Sequence, residues 1–527
     1  MINTMNKLKY KICRFWNTFK NLRVIQIIYQ IKIRLLAYEY KKTDIDVIPQ
    51  CCILTPICKL KSLIDDSYSF LNIQIINNLN WTNLSNGMLW AYNLNYMDYL
   101  LQEDMSYEKG GKLIDKFIDD LPLNKVGLDP YPIALRGINW IKFICKYRNK
   151  IPHDRLKVWN NSLYSQYKLL DKKLEYHLLG NHLLEDAYSL YIASIYFSDE
   201  RLYEKTSKLL KEELNEQILS DGSHYEQSPM YHCILLDRLL DCYNISIHNV
   251  RFDRQKDFNL FLLEKAKLML GHLSAIIYND KTIPLLNDSA NGVAPTTEEL
   301  FKYAKRLSIE WDKISLGDCG YRRIYLNGIE CILDIGNIKA SYQPGHSHAD
   351  TFNYELRVKG IPFIVDTGIS TYNKNERRQY ERSTIAHNTV SIGGKDSSEV
   401  WGGFRVGKRA SVSINFDSEN YISATHDGFG KSKLHTRIFQ LDKDSICITD
   451  KISCNDEGIS YIHFSPRVEI YGYDTGIIKT NIATIEIRGA NLVDVVSGKA
   501  STQYNIFEGI KIAKLYFNKE LEYKIKI

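Results

Sequence analysis

The sequence has no Cys-x-x-Cys pair among its 11 cysteines, and their odd count has a single cluster, Cys51-Cys52. That excludes a zinc ribbon and argues against a disulfide framework, so reduced thiols are expected. No run of about 18 apolar residues is available to span a bilayer. No charge of one sign dominates either. The 68 basic and 62 acidic residues leave a formal +6 over 527 residues, a mixed surface that does not point to nucleic acid. No repeat of fixed period runs through the chain, which removes coded solenoids. The basic N-terminus lacks a small-residue cleavage site, making a poor signal peptide, and a cytoplasmic location is expected.

What is present is the balance of a globular protein, 44% hydrophobic and 25% charged, on a chain too long for one ordinary core. The 36 Tyr are notable because sugar rings are often held against aromatic faces. Residues 1–50 form a basic segment (Lys7, Lys9, Lys11, Arg14, Lys20, Arg23). Within it, 7–40 read as an amphipathic helix expected to dock on the body, with peripheral membrane contact as the alternative.

Residues 51–316 read as a helical domain of antiparallel hairpins. Apolar positions recur at helical spacing from about 88 onward, as in Leu156, Trp159, Leu163, Tyr167 and Leu170. Near 317–320 the period changes to two. Asn327-Gly328 predicts a tight hairpin turn, Phe352, Tyr354 and Leu356 alternate with polar residues, and similar runs cover 445–450 and 484–488. Residues 317–527 are therefore expected to be an antiparallel sheet domain, giving a multidomain α+β chain.

Three clusters offer chemistry. Gly180-Asn181-His182-Leu183-Leu184-Glu185 puts an amide, an imidazole and a carboxylate within one turn of an apolar helical stretch. A helix-packing role is the plain alternative. Residues 221–232 gather Tyr225, Tyr231, His224, His232 and Glu226 in a loop, with Pro229 placed to open the next helix. In Gly345-His346-Ser347-His348-Ala349-Asp350 the two His project to one side of extended backbone. With Asp366 and His387 nearby, two His and one Asp make a plausible ligand set for zinc or a similar ion.

These segments together resemble the heparinase II/III-like polysaccharide lyases. The resemblance also takes in Leu89-Trp90-Ala91-Tyr92-Asn93, Arg136-Gly137-Ile138-Asn139-Trp140, Ser228-Pro229-Met230-Tyr231-His232, Asn287-Asp288-Ser289, Arg382-Ser383-Thr384, His387-Asn388-Thr389 and Trp401-Gly402-Gly403-Phe404-Arg405. It implies an incomplete (α/α) toroid joined to an antiparallel β-sandwich, and β-elimination at a uronate in an acidic polysaccharide. It further implies that Asn181 or His182 neutralises the uronate carboxylate, with Asn181 the choice of the two. His346 is then the general base and Tyr231 the acid on the departing oxygen, or the base for the other C5 epimer. Arg136, Glu185, Tyr225, Glu226, His232 and Arg405 become substrate-positioning groups. His348, Asp366 and His387 would hold one structural divalent metal, zinc first, with manganese or calcium as alternatives. The rivals are a glycoside hydrolase using Glu185 and Glu226 as its carboxylate pair, and a non-catalytic factor in surface-polysaccharide assembly.

Overall fold

The structure, a computed structural model, describes residues 2–76 and 79–527 and, of the first ten side chains, that of Lys9. Lys7, counted above in the basic segment, has its side chain outside the described residues. The basic segment forms two helices, α1 (Ile2–Phe19) and α2 (Val24–Leu35), where one was expected. Residues 36–60 then run without regular structure, apart from an isolated bridge at Lys59. A small antiparallel sheet follows (Leu63–Ile64, Ser67–Phe70, Ile73–Ile76). The expectation of an all-helical stretch over 51–316 is corrected here, because Tyr68 and Phe70 are buried from extended backbone rather than from a helix.

Among the described residues nine α-helices build the toroid: α3 (Met88–Tyr96), α4 (Tyr107–Asp120), α5 (Pro130–Tyr147), α6 (His153–Leu170), α7 (Gly180–Phe197), α8 (Glu200–Gln217), α9 (Pro229–His248), α10 (Gln255–Ile276) and α11 (Thr297–Arg306). Contacts run α3 to α5, α5 to α7, α7 to α9 and α9 to α11, an inner row, with α6, α8 and α10 each packed outside a partner. The sequence encodes this alternation. Inner α7 is apolar nearly all round and buries sixteen of its eighteen residues, whereas outer α8 buries seven of eighteen along one stripe.

Ends are set by local chemistry. Ser228 Oγ accepts from the Tyr231 N–H at 3.2 Å and Pro229 stands at the first helical position, so α9 starts where Tyr231 falls in its first turn. Gly180 opens α7 at φ +60°, and a Cβ there would lie 2.5 Å from Glu226 Oε1, so glycine alone fits.

From Tyr321 the chain is sheet. The expected hairpin is present: Tyr321–Leu326 pairs antiparallel with Ile329–Asp334 through Asn327 (φ 48°) and Gly328 (φ 87°). Tyr354–Val358 and Ile361–Ile364 complete a four-stranded sheet. A ten-stranded antiparallel sheet faces it, dominated by the long pair Thr484–Gln503 and Ile506–Lys526. Side chains of both sheets, among them Cys331, Leu333, Phe439, Ile448, Leu515 and Tyr523, share one apolar core, which makes the domain a β-sandwich.

The N-terminal helices lie across both domains. Arg23 pairs with Glu216 of α8 at 2.8 Å and covers the Tyr342 ring at 4.2 Å. Buried Gln26 donates to Leu178 O at 3.3 Å and to Gln343 Oε1 at 3.2 Å. Thr18 Oγ1 accepts from Trp401 Nε1 at 3.1 Å. The expected docking is therefore found, and it uses the side of these helices that carries Thr18, Gln26 and Tyr29, whose ring lies 4.7 Å from that of Tyr176.

Candidate active site

The first turns of α7 and α9 point at the loop that carries His346, so the three clusters read from the sequence meet at the domain junction. Asn181 Nδ2 donates to Glu226 Oε2 at 2.9 Å and stands 3.3 Å from His346 Nε2. The Asn181 backbone N–H is held by Glu226 Oε1 at 3.2 Å. The ring of Tyr231 lies over that of His346, with centroids 4.0 Å apart. Asn181, Glu226 and His346 are buried, and Tyr231 is half-buried, so the junction is nearly closed.

The position of the His346 proton follows from its other nitrogen. Nδ1 is 2.8 Å from Asp288 Oδ2. Burial would raise the Asp288 carboxyl, but Arg378, then His346 and His348, hold it well below the usual carboxylate range. An ionised Asp288 accepts, so Nδ1 carries the hydrogen and Nε2 presents a lone pair toward Asn181. Arg378 spans both Asp288 oxygens, one of them at 2.7 Å. The Tyr372 hydroxyl donates to the Tyr231 oxygen at 3.3 Å, and Phe404 stands edge-on to His346. Burial pushes the Tyr231 phenol well above its ordinary range, keeping it a proton carrier at neutral pH.

The second histidine of the motif uses the same carboxylate. His348 Nε2 is 2.8 Å from Asp288 Oδ1, which leaves its Nδ1 buried without a partner among the described residues. His387 Nδ1 meets Asp366 Oδ2 at 2.7 Å, and its Nε2 is likewise unpartnered. The two rings are 5.2 Å apart, and Asp350 Oδ2 is a third unpartnered buried atom. Burial lowers His348 to about 3 and raises Asp350 to about 6. In His387 the attraction of Asp366 outweighs burial and raises the imidazole.

Another buried group of ligand-type side chains exists. A carboxylate oxygen of Asp221, a ring nitrogen of His272 and Cys319 Sγ lie within 4.8 Å of one another. Part of this group is already engaged by the protein. Asp221 Oδ2 accepts from the backbone N–H groups of Gly317 (3.1 Å) and Cys319 (2.9 Å), and His272 Nδ1 donates to Asp221 O at 3.1 Å. The three residues are far apart in the chain, so no sequence motif marks this group.

Several residues expected on the substrate are elsewhere. Arg136 is fully buried, its guanidinium consumed by Gln166 Oε1, Asn95 O and Gly127 O, so it locks α5 to its neighbours. Glu185 is fully buried one turn below Asn181, 3.5 Å from Arg238, with neither oxygen hydrogen-bonded. His232 lies between Met269 O and the His224 N–H, and the Tyr225 hydroxyl is joined to that of Tyr342. These four are corrected to packing roles, because each polar end is turned into the protein. Glu226 is at the site, where it aims Asn181. Arg405 is exposed over Trp401, one residue beyond Phe404. His182 turns away from His346 to Glu175 (3.0 Å) and the Tyr131 ring, and Glu175 outweighs burial in raising its pKa. Asp288, Tyr372 and Arg378 were missed. Asp288 sits in a segment that carried the family resemblance, which was the one signal for it.

A helical toroid and a β-sandwich that share a site of Asn, Tyr and His define a two-domain toroid–sandwich protein. Residues 139–309 match the family model of the heparinase II/III N-terminus, and 309–507 match that of the heparinase II/III-like C-terminal domain. The chain belongs to the heparinase II/III-like family. It is 25% identical over 267 residues to a heparin-sulfate lyase of Pedobacter heparinus, covering 44% of this chain and 38% of that one. A heparin-sulfate lyase of Bacteroides thetaiotaomicron is 23% identical over 332 residues, covering 54% and 46%. The chain thus spans less than half the length of these relatives. In fold it is similar to a crystal structure of heparinase III, with a TM-score of 0.65, 16% identity and coverage of 85% and 79%. The heparan sulfate lyase of Pedobacter heparinus gives a TM-score of 0.60, 16% identity and coverage of 86% and 79%.

Proposed function

We propose that this protein cleaves a uronic-acid-containing acidic glycan by β-elimination. The observation that carries the reading is the convergence of Asn181, Tyr231 and His346, with His346 Nδ1 held on Asp288 and its Nε2 turned to Asn181. The uronate carboxylate would take the place of Glu226 or His346 at the Asn181 amide, beside the positive end of α7. Hydrogen bonding there stabilises the enolate-like charge that builds as the C5 proton leaves. His346 Nε2 accepts that proton, the C5–H electrons form the C4=C5 bond, the C4–O4 bond breaks, and Tyr231 gives its hydroxyl proton to O4. For the opposite C5 epimer Tyr231, entering the step as a phenolate, would take the C5 proton and hand that same proton to O4 as the C4–O4 bond breaks.

The substrate class that fits best is a glycosaminoglycan-like polymer, since the curated relatives are named heparin-sulfate lyases. Alginate-like and capsular polyuronides present the same C5 chemistry. The hydrolase alternative needs two carboxylates flanking the bond, and Glu185 is sealed against Arg238.

His348 and His387 suit a structural divalent ion, zinc by ligand softness; Asp366, expected as a third ligand, is corrected to a place behind His387, because His387 and Asn353 hold its Oδ2 and the Gly368 N–H holds its Oδ1. Two unpartnered imidazole nitrogens beside Asp350 support the assignment. Such an ion would tie the 346–350 loop to the sheet and play no part in proton transfer.

The test is a panel of polyuronides, followed by the ultraviolet absorbance of the conjugated C4=C5 carboxylate. New reducing ends without that absorbance would mean hydrolysis, and no new ends with any polymer would favour the assembly-factor reading.

A further inference from the structure

The two N-terminal helices are built inside out. On α1, Ile12, Phe15, Trp16 and Phe19 fall on one face at helical spacing, and all are exposed, Trp16 by 61%. On α2, Val24, Ile28, Ile31 and Leu35 repeat the pattern, with exposures from 53% to 76%. The opposite faces hold the polar groups and meet the body: Arg14 and Thr18 at Trp401, Gln26 at Leu178 and Gln343. A helix of a globular protein buries its apolar stripe. Here both stripes face outward.

The charge pattern names what covers them. Before Glu39 the chain has eight basic residues, Lys7, Lys9, Lys11, Arg14, Lys20, Arg23, Lys32 and Arg34, and no Asp or Glu. By helical angle, Lys9 and Lys20 flank the α1 stripe on one side and Lys11 on the other, while Lys32 and Arg34 flank that of α2. Long cationic side chains beside an apolar stripe let the stripe enter a lipid surface while the charges stay at headgroup level. A second copy of the same face would meet it with like charge. Among the described residues no helix is long and apolar enough to cross a membrane, so the fit is to lying on one.

We propose that α1 and α2 seat the protein on an anionic lipid surface, apolar stripes down. Gln26 of α2 contacts Leu178 and Gln343, three residues from Asn181 and from His346. Seating therefore brings the cleft beside the lipid headgroups, where a membrane-associated polymer would be met. This surface assignment does not depend on the lyase reading.

The experiment is co-sedimentation of the full chain with phosphatidylcholine vesicles, with and without phosphatidylglycerol. Binding is expected only with phosphatidylglycerol, falling with added salt, and weakening roughly fivefold for each of Lys9→Gln, Lys11→Gln and Lys20→Gln. Phe15→Ser with Trp16→Ser should weaken it by about tenfold or more at an unchanged melting temperature. A chain that stays in the supernatant overturns the proposal, and so does equal binding to both vesicles. A concentration-dependent dimer dissolved by the Phe15 and Trp16 substitutions, without vesicle binding, would assign the face to a second copy instead.

Discussion

Asn181 Nδ2 lies 3.3 Å from His346 Nε2, a contact that joins the first turn of a toroid helix to a loop of the β-sandwich. The adjacent His182 makes no such contact and spends its Nδ1 on Glu175. The two positions should therefore separate kinetically. Asn181→Ala is expected to lower kcat by about 10²–10³-fold, the cost of one donor to a developing oxyanion. His182→Ala should leave kcat within about tenfold and act mainly on KM. Equal losses in kcat would overturn the choice of Asn181.

Tyr231→Phe removes a hydroxyl and little else, since its ring still covers His346. Turnover should fall by about 10²–10⁴-fold with an unchanged melting temperature. Near-normal elimination in this variant would take the acid role from Tyr231.

Asp288→Asn keeps the shape but removes the charge that Arg378 spans and that both motif histidines engage. Leaving a buried guanidinium uncompensated should cost about 3–5 kcal/mol in urea unfolding. A loss under about 1 kcal/mol would mean that the Asp288–Arg378 pair is dispensable.

His348→Ala and His387→Ala should each lower both the metal content of the purified protein and its melting temperature. Under a strong chelator, parent and variant should converge. Unchanged metal content in both variants would remove the ion from this place.

Glu213 supplies a pH dependence. It is buried on α8, bonded to Gln217, which also holds Gly180 O, and burial pushes it up to about 7. A carboxyl whose folded pKa is raised stabilises fully below its unfolded value near 4.5, and that share is lost as pH rises through about 7. Glu213→Gln should therefore flatten the fall in stability between pH 5 and 8, exceeding the parent at pH 8 by up to about 3 kcal/mol. Parallel stability curves for the two proteins would remove Glu213 as the source.

Much of this was legible in the sequence because it rests on local rules. The hairpin at Asn327-Gly328 and the helix start at Pro229 each follow from a few neighbouring residues, whereas His346 sits in a turn rather than on the extended backbone expected for it. The failures have a common cause. Arg136, Glu185 and His232 lie on inner helices buried nearly all round, where sequence offers no polar face to separate a cleft-lining residue from a packing one. Asp288 is 58 residues from His346 and 90 from Arg378 in the chain, and its contacts with both exist only once toroid and sandwich have met. The small sheet at 63–76 was hidden because its strands are two to four residues long, below the length at which a period shows.

The single carboxylate of Asp288 is held by His346 on one oxygen and by His348 on the other. Two tasks thus draw on one resource. A defect on the structural side would be transmitted to the proton acceptor without any change in the residues that meet the sugar. Loss of turnover after a change at His348 is accordingly a relay effect, and it should ease when the loop is re-anchored from elsewhere.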